Sequence, residues 1–286
     1  MNGIHACPVS KNERLLLVTD GSLFSEGAIR EALSFAKRCS SKLYVISAME
    51  TNPEYESIGS SVFEKEEAET RKHLEAVKTQ AEQAGLRCET IFHHGADPSR
   101  IIVDEAADRN IDMIIIGRRG RKGLAKLLMG EVAAEVIGHA PCKVLVVPKA
   151  AHIGYRNILI ATDGSKHSEA AASEAINIAK RCGGNIIVVS VSRSESELQE
   201  AKISANRVVE LARKESIPAE ALTPSGRAHD VIAETAGGRG IDLIVMGAYG
   251  KTGLKKLLMG SSTEKVIGLA GCAVLVVKAP QKQKGE

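Results

Sequence analysis

The chain has 286 residues, 44% of them apolar and 26% charged, with a formal net charge of +3. It is long for one domain, comfortable for two of about 140 residues each, and too apolar for a disordered chain. The near-balanced charge in both halves and the scarcity of aromatics (no Trp, four Tyr, four Phe) argue against nucleic-acid binding and against base stacking on an aromatic platform.

In chain order, the opening MNGIHACPVSKNER (1–14) has no apolar run of the signal-peptide kind. No later run approaches membrane-spanning length, so a soluble cytoplasmic protein without a membrane partner is expected. RLLLVT (14–19), KLYVIS (42–47), CETIFH (88–93), DMIIIG (112–117) and KVLVV (143–147) read as short buried strands. Stretches with apolar residues at three- and four-residue spacing separate them and read as helices. The run FEKEEAETRKHLEAVKTQAEQAG (63–85) reads as a largely solvated helix laced with Glu–Lys pairs. His93 and His94 are adjacent on a strand and face opposite sides, so they are not expected to share a metal.

The same order then repeats. LLLVTDGSLFSEGAIREALSFAKRCSSKLYVIS (15–47) returns as ILIATDGSKHSEAAASEAINIAKRCGGNIIVVS (158–190), an offset of 143 residues. IDMIIIGRRGRKGLAKLLMGEVAAEVIGHAPCKVLVV (111–147) returns as IDLIVMGAYGKTGLKKLLMGSSTEKVIGLAGCAVLVV (241–277), an offset of 130. The first copy is therefore 13 residues longer in its middle, around ETNPEYESIGSSVFEK (50–65), a segment that could cover a pocket. Two domains follow, 11–149 and 152–279, with a seam in PKAAHIGYRN (148–157) too short for a free tether. Within the seam, HIGY (152–155) imitates a nucleotidyl-transferase box but lacks the second His and precedes a strand. The six cysteines form no C-x-x-C pair, which gives no sign of a zinc site or a redox motif. Cys39 matches Cys182 and Cys142 matches Cys272, and the simplest reading of these four is small buried residues rather than disulfides.

Near-continuous apolar strands joined by helices imply a parallel sheet covered on both faces. Each copy should be an α/β, doubly wound, Rossmann-like domain of five strands and four helices, with its ligand at the carboxyl ends of the strands. Two places qualify in each copy. One is the Thr-Asp-Gly-Ser after the first strand (19–22 and 162–165). The other is the glycine-rich loop after the fourth strand, beginning at Gly117 or Gly247.

The second of these loops, GAYGKTGLKKLLMGSST (247–263), is not a P-loop: its spacing would place the first glycine of G-x-x-x-x-G-K-[ST] at Val245, inside a strand. Gly247 and Gly250 instead allow close approach of a ligand, and Gly260-Ser261-Ser262-Thr263 opens a helix whose amides and dipole favour an anion. The apolar Leu254, Leu257, Leu258 and Met259 would pack the connector down. Asp163, at the neighbouring strand end, can accept hydrogen bonds from a ribose or a base amino group.

At these residues the sequence resembles the universal stress protein family, specifically its tandem two-domain members. The family's ATP-binding signature, G-x2-G-x9-G-[ST], is met by Gly247, Gly250, Gly260 and Ser261. The resemblance extends over essentially the whole chain, through TDGS near each start and CxVLVV at each end. It implies the strand order 3-2-1-4-5 and an ATP-binding protein of stress response or signalling, with AMP or ADP as alternative ligands and Mg2+ held only through the phosphates. It implies that Thr162, Asp163 and Val191 line adenine and ribose, that Met246, Gly247, Ala248, Tyr249 and Gly250 continue the wall, and that Gly260, Ser261, Ser262 and Thr263 take the phosphates. It also implies an intramolecular pseudo-dimer through the fifth strands, whose apolar edges need cover, and it leaves a homodimer open.

The first copy keeps Asp20, Gly117, Gly120 and Gly130 but has Glu131-Val132-Ala133 where the second has Ser261-Ser262-Thr263. A carboxylate ~4–5 Å from a phosphate oxygen costs roughly 3–4 kcal/mol at an effective dielectric of 20. Arg118, Arg119, Arg121 and Lys122 could offset this but read more simply as a solvated basic loop, so the first site is expected to be weak or degenerate. No catalytic residue is assigned. The loop offers Lys251, Lys255 and Lys256 but no acid to hold a metal, so a nucleotide-dependent switch is favoured over a slow ATPase or autophosphorylating enzyme, and over a scaffold with structural nucleotide.

Overall fold

A computed structural model describes residues 7–9, 13–51, 60–120, 129–251 and 259–280. They form two compact units, Met1–Ala150 and Ala151–Glu286. The first contains β1 (Arg14–Val18), α1 (Glu26–Cys39), β2 (Lys42–Glu50), α2 (Ser60–Gln83), β3 (Cys88–Gly95), α3 (Pro98–Asp108), β4 (Met113–Gly117), α4 (Glu131–His139) and β5 (Lys143–Val147). The second contains β6 (Asn157–Ala161), α5 (Lys166–Cys182), β7 (Asn185–Val189), α6 (Glu195–Lys214), β8 (Ala219–Leu222), α7 (Ala228–Gly238), β9 (Leu243–Gly247), α8 (Ser261–Leu269) and β10 (Ala273–Val277).

Within each unit the strands are parallel, in the order β3-β2-β1-β4-β5 and β8-β7-β6-β9-β10. This is the expected doubly wound order. The chain winds outward from β1 in one direction through β2 and β3, and in the other through β4 and β5. The order reverses between β1 and β4, where Val18 stands beside Ile116, and between β6 and β9, where Ala161 stands beside Met246. A crevice opens at such a reversal because the flanking crossovers depart to opposite faces.

The sequence pattern accounts for these elements. Met113–Gly117 and Leu243–Gly247 are buried at every position, as central parallel strands must be. In α1, Ala28, Ala32, Phe35, Ala36 and Cys39 repeat at helical spacing and are buried. The helix ends at Ser40, whose φ of 54° is left-handed; at the matching end of α5, Gly183 adopts a φ of 69° without the steric cost. Among the residues of α2 whose side chains are described, only the stripe Thr70, Leu74, Val77 and Ala81 is buried, and Glu67 pairs with Arg71 at 2.7 Å, so a solvated helix with one packed edge is what the charge pattern encodes.

One cysteine of the repeat departs from the expectation of small buried thiols. Cys7 and Cys39 are joined in a disulfide, their Cα atoms 4.8 Å apart. Cys7 lies outside the duplicated pattern, so pairing cysteines by repeat position could not find its partner. Cys272 does behave as a small buried residue: burial pushes its thiol up to about 11. The HIGY segment is packed rather than slack. Ile153 and Tyr155 are buried, and Asp242 accepts the amides of Tyr155 at 2.8 Å and Arg156 at 3.1 Å. In the first unit, Asp112 similarly accepts the amide of Arg14 at 2.7 Å.

Candidate functional site

The second unit's site is built from the turn after β6. Gly164, with φ 76°, lets the chain reverse. Thr162 Oγ1 accepts the Gly164 amide at 3.2 Å, Asp163 Oδ1 accepts the Ser165 amide at 3.0 Å, and Ser165 Oγ caps α5 by accepting the Ser168 amide at 3.3 Å. Asp163 Oδ2 then reaches across to the loop after β9 and accepts the Lys251 amide at 2.7 Å. A Cβ on Gly250 would lie 2.7 Å from that same oxygen, so the glycine is required by the carboxylate. Burial pushes the Asp163 carboxyl upward, but hydrogen bonds from Ser165, Lys251 and Ser168 outweigh it and hold the group below the ordinary carboxylate range. Asp163 is therefore a fixed anion and acceptor at the cavity wall.

The other wall is the exit of β9. A Cβ on Gly247 would stand 2.7 Å from the carbonyl carbon of His167 and 2.8 Å from the Ser168 nitrogen, so the start of α5 packs directly on this residue. Ala248 is fully buried; its amide donates to Val277 and its carbonyl accepts the Gly260 amide, both at 2.9 Å. Thr263 Oγ1, also buried, donates to the Gly247 carbonyl at 3.0 Å. These bonds fix the start of α8 beside the exit of β9. Met259 is buried, whereas the expected packing of Leu254, Leu257 and Leu258 lies outside the described residues, as do Lys255 and Lys256. At its N-cap, Gly260 offers no side chain to the helix amides.

Between the walls lies a cavity of about 300 Å³. Thr162, Asp163, Val191, Met246, Gly247, Tyr249, Gly250, Gly260, Ser261, Ser262 and Thr263 line it; of the expected residues only Ala248 does not, because both its backbone groups and its side chain are spent inside the fold. The Thr263 hydroxyl proton is likewise committed to Gly247, which leaves Ser261 and Ser262 as the side-chain donors at the helix start. Sequence reasoning missed Ser190, Arg193, Glu197, Glu200 and Ser204 in the lining. Ser190 carried a signal, as the repeat of Ser47. The acids of α6 did not, since on a charged helix they read as solvated. Glu200 pairs with the Lys251 ammonium, and Glu197 accepts the Arg193 amide at 2.9 Å.

The first unit repeats the frame with different contents. Asp20 Oδ1 accepts the Ser22 amide at 3.0 Å, and Gly120 comes so close to Asp20 that a Cβ would lie 3.1 Å from Oδ2. The Gly130 amide donates to the Arg118 carbonyl at 3.0 Å, as Gly260 does to Ala248. Asp20, Gly117, Gly120 and Gly130 all line a cavity of about 330 Å³, together with Glu131, Val132 and Ala133. Arg119 lines it too, while Arg121 and Lys122 lie outside the described residues. His93 bonds Glu105 at 2.8 Å and His94 meets the edge of Phe63, so the two histidines diverge.

Each unit is thus an open parallel α/β domain with a small-molecule-sized crevice at its strand-order reversal, and the chain is a tandem pair of such domains. A family model described as the universal stress protein family matches residues 11–148 and again 154–278, and the chain belongs to that family. Over 145 residues it is 39% identical to a universal stress protein of Methanocaldococcus jannaschii, covering 45% of this chain and 85% of that one. Over 149 residues it is 29% identical to a universal stress protein of Synechocystis, covering 47% and 96%. Among solved structures, a universal stress protein from Archaeoglobus fulgidus superposes with a TM-score of 0.75 over 93% of this chain and 98% of that one, at 24% identity, a likeness of fold. No described helix is long and apolar enough to cross a membrane.

Proposed function

We propose that the second unit binds an adenine nucleotide, ATP or its AMP or ADP relatives, and that occupancy acts as a switch in a cytoplasmic stress response. The observation that carries this reading is the start of α8. Gly260 leaves the helix without a capping side chain, Ser261 and Ser262 stand beside it, and all three line the cavity. Helix amides and dipole at such a start favour an anion. At the opposite wall Asp163 is a fixed acceptor suited to ribose hydroxyls, and Val191 and Met246 supply apolar surface for a base. The donor set therefore fits the group: Gly260, Ser261 and Ser262 would hold phosphates, and Asp163, Val191 and Met246 the nucleoside. Family membership supports the same assignment.

The nucleotide would bring phosphate charge and, as ATP, a transferable phosphoryl group. Fast turnover needs a positioned base and an acid free to hold a metal. Glu200 is paired with Lys251, Glu197 with an amide, and Asp163 with two amides, so the acids of this wall serve positioning. The switch reading is accordingly preferred to an ATPase.

Calorimetry and native mass spectrometry on the full chain test the proposal. One adenine nucleotide per chain is expected, with affinity falling about tenfold or more in Asp163→Asn, the scale of a lost charge-assisted hydrogen bond. A chain that binds none of ATP, ADP or AMP at millimolar concentration would overturn it.

A further inference from the structure

In the second unit the start of α6 is held by few contacts. Residues 193–197, 199 and 200 are exposed, Leu198 is half-buried, and the packed stripe of the helix begins only at Ala201. The N-cap, Ser194, gives the helix no side-chain bond. Glu197 accepts the Arg193 amide at 2.9 Å and the Ser194 and Ser196 hydroxyls meet at 2.8 Å, but both bonds stay within the segment. Among the described residues one polar contact ties residues 193–200 to another element, the pair of Glu200 with the Lys251 ammonium. A segment with so little buried surface opens at low cost.

Lys251 stands between two places. Its amide is fixed on Asp163 Oδ2 at 2.7 Å, so the side chain starts from a pinned backbone. Its outer half runs back over the turn after β6. A Cβ on Gly164 would lie 3.6 Å from both Cε and Nζ, and 2.9 Å from the hydroxyl of Ser204, one turn beyond Glu200 on α6. On the other side is the start of α8. A Cβ on Gly260 would lie 3.5 Å from the Cα of Tyr249, two residues before Lys251, and Lys251, Gly260, Ser261 and Ser262 line the same cavity. The Lys251 and Glu200 side chains are 41% and 65% exposed, and an ion pair so open to water holds weakly. A phosphate carries more charge than a carboxylate, and in a less exposed place it is the stronger partner for an ammonium.

We propose that the first turn of α6 is the moving part of the switch and that Lys251 works it: the ammonium leaves Glu200 for a phosphate bound at the start of α8, and the freed turn opens. This rests on the nucleotide reading of the second unit and adds which charge is sensed and which element answers. A ligand shifts such an equilibrium only by its differential affinity for the two states. Here the differential contact is that of the ammonium with phosphate, so ATP releases α6, while adenosine, which has no phosphate, leaves it as it is. Glu200 is thereby an internal competitor that lowers the affinity for phosphate. Lys255 and Lys256, further along the loop, lie outside the described residues and are unchanged in every variant that tests the pair.

Calorimetry and amide hydrogen exchange on the full chain test this, with adenosine and ATP as probes. Both side chains lie at the surface, so Glu200→Gln and Lys251→Met leave the fold intact. Glu200→Gln should raise the affinity for ATP about fivefold and leave that for adenosine unchanged. Lys251→Met should lower the affinity for ATP by a similar factor, again without touching adenosine, and in the double variant Glu200→Gln should bring no gain. Without nucleotide, Glu200→Gln should speed exchange of the amides of residues 199–202 about fivefold, the same scale as the lost pair. In the parent chain ATP should do the same and adenosine should not. The proposal is overturned if Glu200→Gln leaves the ATP affinity where it was or moves adenosine equally, if the double variant keeps the gain, or if exchange at 199–202 responds to neither the variant nor ATP. A parent chain that binds neither ATP nor adenosine overturns the nucleotide reading and this proposal with it, whereas one that binds ATP and keeps the start of α6 closed overturns this proposal alone.

Discussion

Asp20 and Asp163 stand at the same point of the same Thr-Asp-Gly-Ser turn, yet the helices behind them begin differently. In the second unit Ser165 caps α5 directly. In the first, the Ser22 hydroxyl is buried without a partner among the described residues, and a 3-10 turn, Leu23–Ser25, precedes α1. What both units keep is the inner bonding. Thr19 Oγ1 donates to Ser25 Oγ at 3.0 Å where Thr162 and Ser168 meet at 3.2 Å, and Ser25 Oγ donates to the Ser22 carbonyl at 2.8 Å where Ser168 serves Ser165 at 2.9 Å. Residues that hold the turn together agree between the copies, and so do Thr19, Asp20, Ser47 and the three loop glycines of the lining, matched by Thr162, Asp163, Ser190 and their glycines. The linings part at the start of α4 and of α8, where Glu131-Val132-Ala133 stands in place of Ser261-Ser262-Thr263.

The largest break in this comparison should come from writing the first unit's charge into the second. Ser261→Glu places a carboxylate at the phosphate end, at a cost of about 2–4 kcal/mol for charges ~4–8 Å apart at an effective dielectric of 20. Nucleotide affinity should fall at least thirtyfold by calorimetry with the melting temperature little changed; unaltered affinity would remove Ser261 from the site. Next in size is Gly247→Ala. Its Cβ would press on the backbone of His167 and Ser168, an overpacking of about 1–3 kcal/mol that should lower the melting temperature by several degrees. At Gly260 the nearest atom to a new Cβ is the Ala248 oxygen at 3.3 Å, so Gly260→Ala should disturb the fold less and is the better probe of binding. A Gly247→Ala chain as stable as the parent would contradict the packing. The smallest effect is Thr263→Ala, which gives the second unit the residue the first has at Ala133. The buried Gly247 carbonyl then loses its hydroxyl donor, for about 1 kcal/mol measured by urea denaturation. No loss would mean that the bond contributes nothing net.

Much of this was legible in the residues. Strand order, strand count and the crevice follow from apolar runs such as MIIIG and LIVMG and from the family signature, because central parallel strands and phosphate-type loops leave strong local patterns. The role of Ala248 was not legible. A small residue between Gly247 and Tyr249 looks like part of the ligand wall, and only the three-dimensional bonds to Val277 and Gly260 reveal it as a fastening. Thr263 hid in the same way, a hydroxyl at a helix start that turns inward to Gly247. Glu197, Glu200, Glu66 and Thr70 reach the cavities from long charged helices, and helical charge patterns carry no mark of which turn overlooks a crevice. The Cys7–Cys39 pairing was invisible because one partner lies outside the repeat.

That crosslink makes the stability of the first unit conditional. It spans a sequence separation of 32 residues and encloses the whole of β1 and α1, the segments that carry Asp20 and its turn. In the chain-entropy account, closing a loop of that length takes about 3–4 kcal/mol of freedom from the unfolded chain. The contribution lasts only while the sulfurs remain joined, and a reducing cytosol ordinarily keeps protein thiols apart. The first crevice is thus held more firmly in oxidising surroundings than in reducing ones, so the hold on Asp20 tracks the electron supply around the protein.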